Sequence, residues 1–156
     1  MFVDADIRLN DRCVKTAVRC INSGFIGGSF RFRYDSNSFK AYFMAPFISA
    51  LRKIYKVYGS VMFCTRKAFE LMHEKYSVFD ENLRAGEDCH FTKTLCSLGK
   101  TKVLRNFFYV DTRREEKKGY VGTLLEWRDI YSEMRNNGFK SHGVNRDYDY
   151  SFRRKQ

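Results

Sequence analysis

The chain has 156 residues, the size of one ordinary domain. It is 44% hydrophobic and 30% charged with a single proline, which excludes a disordered, collagen-like or low-complexity protein. Its 29 Lys and Arg against 18 Asp and Glu leave a formal net charge of +11, which favours anionic partners such as phosphates, nucleotides, nucleic acid or acidic lipid headgroups.

Residues 1–34 are predicted to form a strand, a helix and a second strand. The apolar residues 1–3 predict a short strand that ends at Asp4, and a cap at Asn10 or Asp11 predicts a helix over 12–22. From Gly28 onward apolar and polar residues alternate, which predicts a half-buried strand with a basic outer face. The residues expected to face inward are Phe30, Phe32 and Tyr34, and those expected to face outward are Ser29, Arg31 and Arg33.

The next helix is predicted from apolar residues at helical spacing. Pro46 is expected in its first turn or at a kink, and Gly59 is expected to end it. A buried strand over 60–65 and a helix over 66–75 follow. In the helix that contains Pro46, the stripe expected to face the core consists of Phe43, Phe47, Leu51, Ile54 and Tyr58.

The second half of the chain continues the alternation. A helix is predicted over 87–98, a strand over 103–110 and a helix over 120–135, whereas the basic tail over 136–156 has no period. Alternating strands and helices predict an α/β layer architecture, with one domain over 1–135 followed by the tail. The residues expected to face inward are Phe91, Leu95 and Leu98 on the first helix, and Leu124, Trp127 and Tyr131 on the second.

Cysteine usage and hydropathy bear on the compartment. No apolar run reaches the roughly 18 residues of a membrane span. The five cysteines include no Cys-x-x-Cys spacing, and their odd number without a signal peptide predicts reduced thiols in a cytoplasmic protein. The basic surface suits anionic headgroups, so peripheral association with a membrane surface stays open.

Two acidic segments are candidates for a site. Asp4 and Asp6 can direct their carboxylates to one side, where Mg²⁺ or Mn²⁺ is commonly bound by one or two carboxylates and substrate phosphates. Glu87 and Asp88 open a helix, and one of them can serve as a general base. The alternatives are solvated loop aspartates for the first pair and ordinary first-turn acids for the second.

Several blocks of sequence occur in an order that is informative as a whole. They are Phe2 to Asp6, Gly27 to Phe32, Phe63 to Phe69, Phe79 to Glu81 with Gly86 to Asp88, and Thr112 to Arg114. Over residues 1–130 this series resembles the family 2 glycosyltransferases with the GT-A fold. It is most similar to small bacterial-type members in which an Arg-Arg pair, a glycine and a Thr-Leu-Leu-x-Trp helix follow the last strand.

The resemblance implies a metal-dependent, inverting transfer of a sugar from a nucleotide-sugar to a hydroxyl of an unidentified acceptor. Asp4 and Asp6 would hold Mn²⁺ or Mg²⁺ on the donor diphosphate, and Asp88, with Glu87 beside it, would activate the acceptor. Arg113 and Arg114 would bind the departing phosphate, although a solvated basic turn is the alternative interpretation.

The resemblance also implies a fold. Family members commonly begin with two or three β-α units that bind the nucleoside, whereas this chain starts at the strand that carries the metal ligands. The expected fold is a partial GT-A, Rossmann-like three-layer sandwich with a mixed sheet that lacks those N-terminal nucleotide-binding units.

Three functional hypotheses follow. In the first, the chain is a truncated or split glycosyltransferase, completed by a complementing N-terminal half or by a homo-oligomer. In the second, it is an inactive remnant that acts as an interaction module through an exposed sheet edge. In the third, Arg31, Arg33 and the tail over 153–155 bind nucleic acid, but no RNP-like, helix-turn-helix or zinc pattern favours this.

Overall fold

The computed structural model describes residues 1–55, 57–76 and 86–136. Strands and helices alternate within these ranges, so the predicted α/β class is confirmed. The elements are β1 (Phe2–Val3), β2 (Arg8–Leu9), α1 (Cys13–Asn22), β3 (Gly27–Tyr34), α2 (Phe39–Tyr55), β4 (Val61–Cys64), α3 (Arg66–Tyr76), α4 (Glu87–Leu98), β5 (Thr101–Val110) and α5 (Arg113–Asn136).

The described strands form one mixed sheet in the order β1-β4-β3-β5-β2. Strands β3 and β5 are parallel, whereas the other neighbouring pairs are antiparallel. At the start of β3, Gly28 lies between Phe63 of β4 and Lys102 of β5. A Cβ atom on Gly28 would overlap the carbonyl oxygen of Lys102, so glycine is required there for the strands to approach.

Helices cover both faces of the sheet and produce two hydrophobic cores. Successive residues of β4 point to opposite faces, since Val61 and Phe63 belong to one core and Met62 to the other. One face is covered by α1, α2 and α5, and the other by α3 and α4. The chain is therefore an α/β sandwich of three layers. Its largest fully buried side chains include Phe63, Phe91 and Phe108.

The inward face of α2 differs from the predicted one. Ala41, Ala45 and Ile48 are buried, whereas Phe43 and Phe47 are exposed together with Ile54. The helix packs on the aromatic side chains of β3, and small alanines let the two backbones approach where those rings already fill the space. The prediction assumed that the largest apolar side chains of the helix face the core, but here the aromatic side chains of the sheet fill that space. Pro46 lies in the helix interior, not in the first turn.

Other differences concern single residues and boundaries. Ser29 is buried, because α3 and α4 cover that end of β3, whereas Arg31 and Arg33 are exposed as predicted. The helix predicted from residue 120 begins at Arg113, and Gly119 at φ 74° separates its two segments. The short β2 was not expected. The segment Phe79 to Glu81 and the tail from residue 137 lie outside the described residues.

Within the described ranges, none of the helices is both long enough and apolar enough to cross a bilayer.

Candidate functional site

The acidic pair near the N-terminus follows the edge strand β1. The main-chain N–H of Asp4 donates to the carbonyl of Ser60 at 3.1 Å, which extends the pairing of β1 with β4. A turn then closes through a hydrogen bond of 3.2 Å from the Ile7 N–H to the Asp4 carbonyl. Asp6 therefore lies in a turn and not on the strand, so the turn, not strand alternation, determines where its carboxylate points.

The second acidic pair begins α4. Gly86 precedes it with φ 87°, a left-handed conformation that glycine adopts without strain. The Asp88 carboxylate accepts a hydrogen bond of 2.7 Å from the Cys89 N–H. The Thr92 hydroxyl donates to the Asp88 carbonyl at 2.7 Å and accepts from the Tyr58 N–H at 3.0 Å. This hydroxyl ties the first turn of α4 to the segment that leads into β4.

The two acidic pairs interact electrostatically. Asp4 and Glu87 are exposed as residues, but protein atoms around their carboxyl groups raise the pKa of both by desolvation. The charges of Asp6 and Asp88 raise the pKa of Asp4 further, and those of Asp88 and Asp4 do the same for Glu87. A hydrogen bond with the Ser60 side chain opposes the shift at Asp4. The structure thus gathers carboxylates that repel one another.

One positive charge that acts on this cluster belongs to a side chain inside the fold. Arg52, on the inner side of α2, passes over the rings of Phe32 at 5.2 Å and Phe108 at 5.8 Å. Its guanidinium donates to the carbonyl oxygens of Val57 and Tyr58. Burial lowers the pKa of Arg52, and the negative charge of Asp88 is the largest of the influences that oppose this.

Sequence reasoning missed Arg52, although a signal was present. Ala41, Ala45, Ile48 and Arg52 recur at spacings of four, three and four, the same helical periodicity as the larger stripe on the opposite side. The first three of these residues are buried in the core, and the charge of the fourth interacts with those of Asp88 and Asp4. Arg52 could have been identified from the sequence as an arginine that continues a helical stripe of small apolar residues.

The arginine pair at the start of α5 divides between two places. A guanidinium nitrogen of Arg113 lies 3.9 Å from the Asp6 carboxylate, and its Nε lies 2.8 Å from Asp111. Arg114 instead pairs with Glu126 at 2.9 Å and lies over the Trp127 ring. Arg113 thus belongs to the acidic end of β1, whereas Arg114 connects the two segments of α5. Both lie in a helix and not in a solvated turn.

The carboxylates provide hard oxygen donors of the kind Mg²⁺ and Mn²⁺ prefer. In the part of the chain that the structure describes, His, Cys, Asp and Glu side chains form no group of three or more that could hold a metal by itself. Asp4 and Asp6 remain a pair, which is the number of carboxylates that often suffices for Mg²⁺ when substrate phosphates supply further oxygens.

Comparisons of the chain with protein-family models, with curated proteins and with solved structures find no match.

Proposed function

We propose that the chain is the metal-binding and acceptor-activating part of an inverting glycosyltransferase that uses a nucleotide-sugar donor. The observation that carries the proposal is the proximity of Asp4 to the acids that begin α4: the charge of Asp88 raises the pKa of Asp4, and the charge of Asp4 raises the pKa of Glu87, although the two segments are far apart in the sequence. Desolvated groups with perturbed pKa values that converge at one end of a sheet are typical of functional sites.

Asp4 and Asp6 would hold the divalent cation on the donor diphosphate. When bound, the cation would stabilise the negative charge that develops on the departing diphosphate. Arg113 is suited to the same charge, because its guanidinium already lies near Asp6 and can form paired hydrogen bonds to phosphate oxygens. Arg114 would first have to leave Glu126, so we assign it to the support of α5.

Asp88 is the proposed general base. A hydroxyl of the acceptor attacks the anomeric carbon, the bond from that carbon to the phosphate oxygen breaks, and the Asp88 carboxylate accepts the hydroxyl proton. The positive charge of Arg52 and the negative charge of Asp88 attract each other. We infer that Glu87 assists by positioning the acceptor.

A calorimetric titration of the full chain with uridine or guanosine diphosphate in the presence of Mn²⁺ tests the proposal. We expect binding in the micromolar range that the double variant Asp4→Asn, Asp6→Asn loses. Asp88→Asn should retain it, and should abolish the sugar transfer of the enzyme completed with a nucleotide-binding half. The matched control is Asp129→Asn, which removes a partly exposed carboxylate that pairs with the adjacent Arg128 and should leave binding unchanged.

The same titration separates the proposal from an interaction module without activity. That second candidate is favoured by the position of β1 at the sheet edge, where its outer side has no neighbouring strand among the described residues. Absence of diphosphate binding, or binding that Asp4→Asn, Asp6→Asn leaves intact, would refute the transferase proposal.

A further inference from the structure

The outward face of α2 is apolar, although the opposite face of the same helix is in the core. Phe39 is 77% exposed, Phe43 57%, Phe47 52% and Ile54 72%. These residues follow one another at spacings of four, four and seven, so they form one stripe along the helix. With a rise of about 1.5 Å per residue, the stripe is about 22 Å long. A helix that is apolar on both sides is expected to be covered on both sides.

The side chains in this stripe form a continuous surface. The rings of Phe39 and Phe43 pack with their centroids 4.5 Å apart, and Tyr42, which is 74% exposed, contacts Phe43 edge to face at 5.5 Å. Single exposed apolar residues are common on soluble proteins, but a contiguous apolar patch marks an interaction site. We refer to Phe39, Tyr42, Phe43, Phe47 and Ile54 as the outer face of α2.

The charges around the outer face indicate what covers it. Helix α2 contains no Asp or Glu, and helical geometry places the exposed Lys40 and Lys53 on opposite flanks of the stripe. Aromatic and aliphatic side chains flanked by lysines are characteristic of helices that lie in the interface of an anionic membrane. A second copy of the chain fits less well, because each copy carries a formal net charge of +11 and the two would repel.

We propose that the outer face of α2 docks the protein onto anionic lipid surfaces, with the aromatic rings at the level of the acyl chains and Lys40 and Lys53 at the headgroups. The sequence suggested membrane association from net charge alone, without a segment to carry it. The structure supplies that segment. The proposal does not depend on sugar transfer, since none of these residues belongs to the carboxylate site.

Co-sedimentation of the full chain with lipid vesicles is the test. The protein should bind vesicles of mixed phosphatidylcholine and phosphatidylglycerol, and bind much less to phosphatidylcholine alone. Phe43→Ser with Phe47→Ser should weaken binding about tenfold or more, because two side chains lose their apolar burial. Lys40→Glu with Lys53→Glu should abolish the preference for anionic lipid.

The matched control removes apolar surface elsewhere. Val121 and Leu125 of α5 are 67% and 45% exposed and, like Phe43 and Phe47, lie four residues apart. Val121→Ser with Leu125→Ser should leave vesicle binding unchanged. Circular dichroism should show that all the variants are folded, because every substituted residue is on the surface.

A fluorescence measurement locates the docked helix. In Phe47→Trp, the emission of the new tryptophan should shift to shorter wavelength with anionic vesicles and be quenched by brominated acyl chains. Absence of vesicle binding, or binding that the two serine substitutions on α2 do not weaken, would overturn the proposal. Sedimentation as a dimer that Phe43→Ser with Phe47→Ser dissociates, without vesicle binding, would assign the face to a second copy.

Discussion

Replacement of Arg52 by methionine tests the electrostatics of the site directly, because it removes a positive charge that acts on Asp88 and Asp4. Methionine keeps much of the aliphatic stem on the core side of α2 but removes the guanidinium that contacts the Tyr58 and Val57 carbonyls. It also removes the positive charge that opposes the negative charges of Asp88 and Asp4. We expect Arg52→Met to fold and to be less stable than the wild type.

The size of the effect follows from the contacts. A hydrogen bond from a charged donor contributes about 1.5–3 kcal/mol, and we count only the one to Tyr58, because the one to Val57 is long at 3.4 Å. Cation–π contacts with Phe32 and Phe108 add about 0.5–1 kcal/mol. Relief of the buried charge offsets part of this sum. A net loss of about 2 kcal/mol results, which should lower Tm by about 4–8 °C.

Urea unfolding followed by circular dichroism measures this loss, with Lys53→Met as the control. Lys53 is the exposed neighbour on the same helix, and its replacement should change the free energy of unfolding by less than about 0.5 kcal/mol. The effects of Arg52→Met and Asp4→Asn should not be additive. Asp4→Asn should stabilise the Arg52→Met variant more than it stabilises the wild type, because Arg52 no longer offsets the charge of Asp4. Equal stabilities of the two methionine variants, or strict additivity with Asp4→Asn, would refute the placement of Arg52.

Three further predictions test other parts of the structure. Asp4→Asn should stabilise the protein at neutral pH, because the raised pKa of Asp4 means that its ionised form is less favourable in the folded chain than in the unfolded chain. This penalty disappears below the unfolded-state pKa, where Asp4 is protonated in both states. Denaturation at several pH values should therefore show that the gain in stability vanishes in acid. Gly59→Ala should lower the free energy of unfolding by about 1–2 kcal/mol, because the residue is left-handed at φ 59°, and by more because the new Cβ meets the Arg52 guanidinium. In the control Gly122→Ala the new Cβ has its nearest neighbour at 3.7 Å, so thermal unfolding should show no loss or a gain of stability. Tyr34→Phe should cost about 1–3 kcal/mol, because the buried Glu115 carboxylate loses a hydrogen bond of 3.1 Å, and an unchanged denaturation midpoint would contradict that contact.

The predictable parts of the fold are those in which local pattern and tertiary packing agree. The alternation from Phe30 to Tyr34 predicted that the aromatic residues of this strand are buried, and the stripe of Phe91 and Leu95 predicted that these two residues face the core. Both predictions are confirmed. For α2 the local pattern admits two faces, and the choice depends on how closely the helix approaches the rings of β3. That distance is a property of the assembled layers, so periodicity alone could not select the face.

The candidate site shows the same division. Asp4, Glu87 and Asp88 were identifiable because acids at the end of a strand and at the start of a helix are visible in the sequence. The contacts that join α4 to the segment before β4, such as the two hydrogen bonds of the Thr92 hydroxyl, are not visible in the sequence. The position of Arg52 depends on which face of α2 is buried, so the error at Phe43 and Phe47 and the omission of Arg52 have one physical cause.

The carboxyl groups of the site have raised pKa values, the opposite of what the positive net charge of the whole molecule favours. On a protein with a formal net charge of +11, the surrounding positive charge favours the ionised form of an exposed carboxyl group, which lowers its pKa. Asp4 and Glu87 show the opposite shift, because their carboxyl groups are desolvated and the nearby acids repel them. A bound cation would offset the repulsion among these acids. This is the physical reason for proposing that a divalent cation and the phosphates of a donor bind at Asp4 and Asp6, and not on the basic surface.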